Sequence, residues 1–139
     1  MTTRTPSATG RSIARHFSNP DVHPYDEIAW ERRTALIGNP DKPVFEQHDI
    51  EVPAVWDQLA LNIVASKYFR GHQGEPERET SVRQMIDRVA KTIAGWGRTG
   101  HYFADETAAT AFEDELTWLL LNQRMAFNSP VWFNAGWEF

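Results

Sequence analysis

From Val82 to Ala94 the apolar residues fall at Val82, Met85, Ile86, Val89, Ala90, Ile93 and Ala94. That spacing matches a helix with one face turned to a core, and it fits no strand. Ser81 and Gln84 have the spacing of a capping box, in which each side chain satisfies the other residue's free backbone N–H. Gly95, Gly97 and Gly100 are read as the end of this helix. A helix so one-sided needs partners, and they fix how the rest of the chain is read.

Upstream, residues 28–37 and 43–52 read as the strands of a β-hairpin. Gly38-Asn39-Pro40-Asp41-Lys42-Pro43 between them is a dense turn signal. Ile28, Trp30, Arg32, Thr34 and Leu36 share one face. In the second strand Val44, Glu46, His48, Ile50 and Val52 alternate with Phe45, Gln47, Asp49 and Glu51. Neither alternation is clean, so the hairpin is expected to be exposed and largely two-sided. Pro53 is read as opening a helix, with Trp56, Leu59, Ala60, Ile63 and Val64 as its stripe toward Tyr68 and Phe69. Asp105 is a plausible N-cap for another helix, whose face is Ala108, Phe112, Leu116, Leu119 and Leu120. Trp118 and Leu121 widen that face, so burial on more than one side is expected. After Asn128-Ser129-Pro130 breaks the helical pattern, Val131-Trp132-Phe133 reads as a short strand and Asn134-Ala135-Gly136 as a turn. The chain stops at Phe139. A strand this apolar needs neighbours, so the sheet is read as continued by further chain or a partner. Residues 1–24, with Pro6, Pro20 and Pro24, read as a flexible arm. Residues 25–124 read as a helical domain, and residues 125–139 as the start of another.

The chain has 139 residues, 41% of them hydrophobic and 24% charged, with a net charge of -5. It is long enough for one real core. Nothing in it suggests a nucleic-acid binder, and no apolar run is long enough for a membrane helix. There are no cysteines, which excludes disulfides, thiolate metal sites and thiol nucleophiles within this sequence. A cytoplasmic location fits. His16, His23, His48, His72 and His101 include no pair at helical spacing, so no metal site and no catalytic residue is assigned. The acidic run Glu113-Asp114-Glu115 reads as a solvated helix face.

One segment has a functional flavour. Phe127 to Gly136 places a hydroxyl and amides beside the end of a helix. Ser129 and the asparagines there have the chemistry to donate hydrogen bonds to a phosphate or ribose. The same residues also read as an Asn-Ser-Pro turn that only stops a helix.

The stretch Met125-Ala126-Phe127-Asn128-Ser129-Pro130-Val131-Trp132-Phe133-Asn134-Ala135-Gly136 resembles the segment that enters the catalytic barrel of adenosylcobalamin-dependent (class II) ribonucleotide reductases. Val52-Pro53 through Trp56 followed by Ile63 to Arg70, then Glu79 to Gln84, then Asp114 to Leu121, resemble the same family in the same order. Ile28-Ala29-Trp30-Glu31-Arg32-Arg33 also fits. The similarity covers about residues 25–136. It implies an α+β, mainly helical fold: a hairpin, three helices, then the first strand of a ten-stranded α/β barrel whose remainder is missing. It implies reduction of ribonucleotides, by resemblance diphosphates, to 2′-deoxyribonucleotides. Adenosylcobalamin would start a cysteine thiyl-radical reaction, a thioredoxin-like donor would restore the redox cysteines, and the complete enzyme would be a homodimer. By residue match, Ser129 contacts substrate, and Asn128 and Pro130 shape its turn. The family's cysteines, catalytic carboxylate and cobalamin contacts lie beyond Phe139, so this chain alone is expected to be inactive. The alternative reading is a non-enzymatic helical module that binds a separately encoded reductase body. Trp132, Phe133, Trp137 and Phe139 would then be an exposed apolar patch. A small regulatory nucleotide-binding domain is a third reading, without a phosphate-binding signature to support it.

Overall fold

In a computed structural model, which describes residues 10–137, the chain is an α+β unit in which a two-stranded hairpin precedes the helices. A turn of 3-10 helix at Pro24–Glu27 leads into β1 (Trp30–Asn39), which pairs antiparallel with β2 (Lys42–Pro53). Helix α1 (Gln58–Ile63) runs on into a π-helical turn at Val64–Tyr68. Helices α2 (Val82–Thr99), α3 (Glu106–Leu121) and α4 (Ser129–Asn134) follow.

Helix α2 forms as its spacing predicts. Val82, Met85, Ile86, Val89, Ala90 and Ala94 are buried, and the Ser81–Gln84 capping box is present in both directions. The helix does not stop at Gly95. It continues through Gly97 to Thr99, and only Gly100 caps it. Gly97 serves close approach instead: a Cβ there would run into the Phe103 ring. Asp105 caps α3 as expected, accepting from the Ala108 N–H at 2.8 Å. Helix α3 is buried on two sides, with Leu116 and Leu120 in the core and Glu115 under the arm.

The hairpin is not two-sided. Gln47, Ile50, Val52 and Ala35 are buried. The register passes from Arg33↔Ile50 to Ala35↔Gln47, so β2 holds one more residue than β1 between those pairs. That is a β-bulge, and Asp49 occupies it with φ 55°. The bulge switches which alternate residues point inward, from Phe45 and Gln47 to Ile50 and Val52. An unbroken period of two could not show this.

Pro53 does not open α1. It closes β2 opposite Trp30, and Asp57 caps the helix, accepting from the Ala60 N–H at 2.7 Å. The buried stripe is Trp56, Leu61, Ala65 and Phe69, while Leu59 and Ile63 of the expected stripe are exposed. The segment expected as a flexible arm lies along α3 over its described part. Arg15 pairs with Asp114 at 2.8 Å, and Phe17 stacks on Trp118 at 4.4 Å between ring centroids. Residues 1–9 of that arm lie outside the described residues, as do residues 138–139 with Phe139 of the expected aromatic patch.

Residues 131–133 are not a strand. Val131, Trp132 and Phe133 belong to α4, with Pro130 in its first turn, where proline's fixed φ suits a helix. The helix buries Trp132, whose indole N–H donates to the Phe127 carbonyl at 2.9 Å. Trp132 is therefore core and not part of an exposed patch, and Phe133 packs against Tyr68.

Candidate functional site

Ser129 is the first residue of α4, half-buried, with Asn128 before it at the N-cap and Pro130 after it. Asn128 makes no side-chain capping bond, and both Asn128 and Pro130 are exposed. The Ser129 hydroxyl lies 3.0 Å from the phenolic oxygen of Tyr68. Tyr68 ends the π-helical turn, and its ring packs against Phe133 and Trp132. The turn thus places two hydroxyls side by side, one on each of two elements far apart in sequence.

A buried ion pair holds both elements. The side chains of Arg88 and Glu79 are 7% and 8% exposed, and Arg88 Nε donates to Glu79 Oε2 at 3.0 Å. Arg88 Nη1 also donates to the carbonyls of Trp132 at 2.8 Å and Ala135 at 2.9 Å. Its Nη2 donates to the Tyr68 carbonyl at 3.1 Å. Five donors in a rigid fork suit such a junction, which a lysine could not fill. Glu79 Oε1 accepts from the Arg70 backbone N–H at 2.8 Å, and the Arg70 guanidinium lies 5.6 Å from the Phe133 ring centroid. Arg78 extends the network, donating to the carbonyls of Ala65, Phe69 and Gly71 and to Gln47; burial lowers its pKa, against the opposing pull of Glu79. Gly136 closes the segment with φ 73°, and a Cβ there would lie 2.6 Å from the Arg88 carbonyl oxygen.

A second constellation lies under the arm. Glu115 is buried, and its carboxylate accepts from the backbone N–H groups of His16, Phe17 and Ser18. Burial opposes its charge, but hydrogen bonds from Ser18, His16 and Phe17 outweigh that and hold its pKa down to about 2. Glu113 pairs with Lys91 and Arg98. The acidic run is therefore not a solvated face: each carboxylate has a partner.

The structure brings Ser129, Asn128 and Pro130 together as one turn, as their adjacency requires. Tyr68, Glu79 and Arg88 are the residues that sequence reasoning missed. No local signal marked them: Arg88 falls on the polar side of α2, outside the Val82–Ala94 stripe. All five histidines are exposed, and no group of three potential metal-ligating side chains exists among the described residues. No helix among them is long and apolar enough to cross a membrane.

The geometry defines an α+β module in which a serine turn is held against α2 by a buried ion pair. Residues 31–123 match the family model described as class II vitamin B12-dependent ribonucleotide reductase. The vitamin B12-dependent ribonucleotide reductase of Streptomyces coelicolor is 49% identical over 134 residues, covering 95% of this chain and 14% of that protein. Those of Streptomyces avermitilis and Rhodopirellula baltica are each 50% identical, over 131 and 115 residues, covering 93% and 81% of this chain and 14% and 11% of theirs. The chain belongs to the class II vitamin B12-dependent ribonucleotide reductase family. It spans 14% or less of the length of these relatives.

Proposed function

We propose that this chain is the amino-terminal region of a ribonucleoside-diphosphate reductase and that Ser129 binds the ribonucleotide. The observation that carries the reading is the half-buried Ser129 hydroxyl on a turn that a buried Arg88–Glu79 pair anchors to α2. A hydroxyl held this way loses little freedom on binding, which favours a ligand hydrogen bond. Its acceptor would be a phosphate oxygen, with Asn128 and Pro130 shaping the turn. Residues 125–139 would lead into a ten-stranded α/β barrel, and residues 25–124 would cover that barrel. The complete enzyme would be a cytoplasmic homodimer served by a thioredoxin-like reductant.

The sequence has no cysteine to carry a radical or redox step. Adenosylcobalamin would be bound by the rest of the reductase, where it supplies the radical that starts the reaction. The share of the work assigned here is binding and orientation.

The test is Ser129→Ala in a reductase of full family length that carries residues 10–137 of this chain. The expected result is a loss of about tenfold in kcat/KM for a ribonucleoside diphosphate, the worth of one hydrogen bond to a charged group. Unaltered kcat/KM would overturn the assignment. Residues 1–139 alone, given adenosylcobalamin and a dithiol, should form no deoxyribonucleotide above a protein-free control.

A further inference from the structure

We propose that Tyr68 is a positioning residue for Ser129, fixing where the serine hydroxyl aims its hydrogen. This rests on the reading of Ser129 as a substrate contact. The two oxygens are 3.0 Å apart, so one hydroxyl donates to the other. A phenol is the more acidic partner and the better donor. With Tyr68 as the donor to Ser129 Oγ, the serine's own hydrogen is left for an acceptor outside the protein. The relay runs from phenol to serine to ligand oxygen, and each bond in such a chain polarises the next.

Tyr68 is itself held from three directions. Its carbonyl accepts from Arg88 Nη2 at 3.1 Å, and the same guanidinium holds the α4 carbonyls of Trp132 and Ala135. Its ring centroid lies 5.5 Å from that of Phe133 and 6.2 Å from that of Trp132. It stands at the end of a π-helical turn. Such a turn takes in one extra residue and rotates later side chains by about 100° relative to an uninterrupted α-helix. From that turn the phenol reaches Ser129 of α4.

The test compares Tyr68→Phe, Ser129→Ala and the double variant in a reductase of full family length carrying this segment. Tyr68→Phe keeps the ring and removes only the hydroxyl. The expected result is a roughly fivefold fall in kcat/KM for a ribonucleoside diphosphate, mainly through KM, for Tyr68→Phe. The double variant should be no worse than Ser129→Ala, because Tyr68 acts through the serine. Losses that multiply in the double variant would overturn the proposal, since a structural defect or a separate ligand contact would both behave that way. So would an unaffected Tyr68→Phe beside a weakened Ser129→Ala, a result that leaves the serine assignment standing. If Ser129→Ala is itself without effect, the serine assignment falls and the positioning role falls with it.

Discussion

Arg88 and Glu79 face each other at 3.0 Å in the interior, and between them they hold the backbone of two separate segments, 68–70 and 132–135. Glu79 fixes the amide of Arg70, and Arg88 fixes the carbonyls of Tyr68, Trp132 and Ala135. Burying an ion pair gains little by itself, but removing one partner leaves the other uncompensated. Arg88→Met is expected to cost about 3–5 kcal/mol. Removing both charges as Arg88→Met with Glu79→Met should cost clearly less than the sum of the two single changes. Urea unfolding of the four proteins measures this, and simple additivity would contradict it.

The arm's attachment should be sensitive to acid. Glu115 has its pKa lowered from 4.5 to about 2 in the folded protein. A depressed carboxyl binds fewer protons folded than unfolded, so its stabilisation is full above the unfolded value and fades as pH falls through the folded one. The window is therefore about pH 4.5 down to 2. Amide exchange at His16, Phe17 and Ser18 should quicken across that window. At neutral pH the same amides should exchange faster in Glu115→Gln, which loses the charge and about 2 kcal/mol of charge-assisted hydrogen bonding. Unchanged protection in that variant would remove Glu115 as the clamp.

Gly136→Ala should loosen the packing of α4 on α2. The backbone there has φ 73°, and an added Cβ would meet the Arg88 carbonyl and the Thr92 hydroxyl. The left-handed conformation alone costs a residue with a Cβ about 1–2 kcal/mol, and the contact adds to it. Faster hydrogen exchange at the Trp132 indole N–H, now bonded to Phe127, is the expected sign.

Ser81→Ala removes two bonds at once. The hydroxyl accepts from the Arg83 N–H at 3.1 Å and donates to Glu51 Oε1 at 2.6 Å. The first is a helix cap and the second ties α2 to β2. A loss of about 1–2 kcal/mol in a thermal or urea melt is expected. Ser81→Asp should recover the cap but not the tie, because its carboxylate would face that of Glu51.

Local chemistry was legible where a few neighbouring residues decide the outcome. The Ser81–Gln84 box, the Asp105 cap and the stripe of α2 depend on contacts within one or two turns, and the sequence spells them out. The bulge at Asp49 and the π-turn at Tyr68 each add a residue without marking it, so the period is lost on either side. Val131-Trp132-Phe133 has the residues of a strand, yet it is helical because Trp132 finds a buried place against Tyr68 and Phe127. The Asn128-Ser129-Pro130 turn was legible as a break after α3. Tyr68, Glu79 and Arg88 were not, because what joins them is 9 to 61 positions of chain folded back on itself.

The guanidinium of Arg88 also sets how the site can come apart. Tyr68, Trp132 and Ala135 all give their carbonyls to one cation, so removing that cation leaves three backbone groups without their partner at once. In Arg88→Met, amide exchange in the π-turn and in α4 is therefore expected to quicken together, as one opening unit.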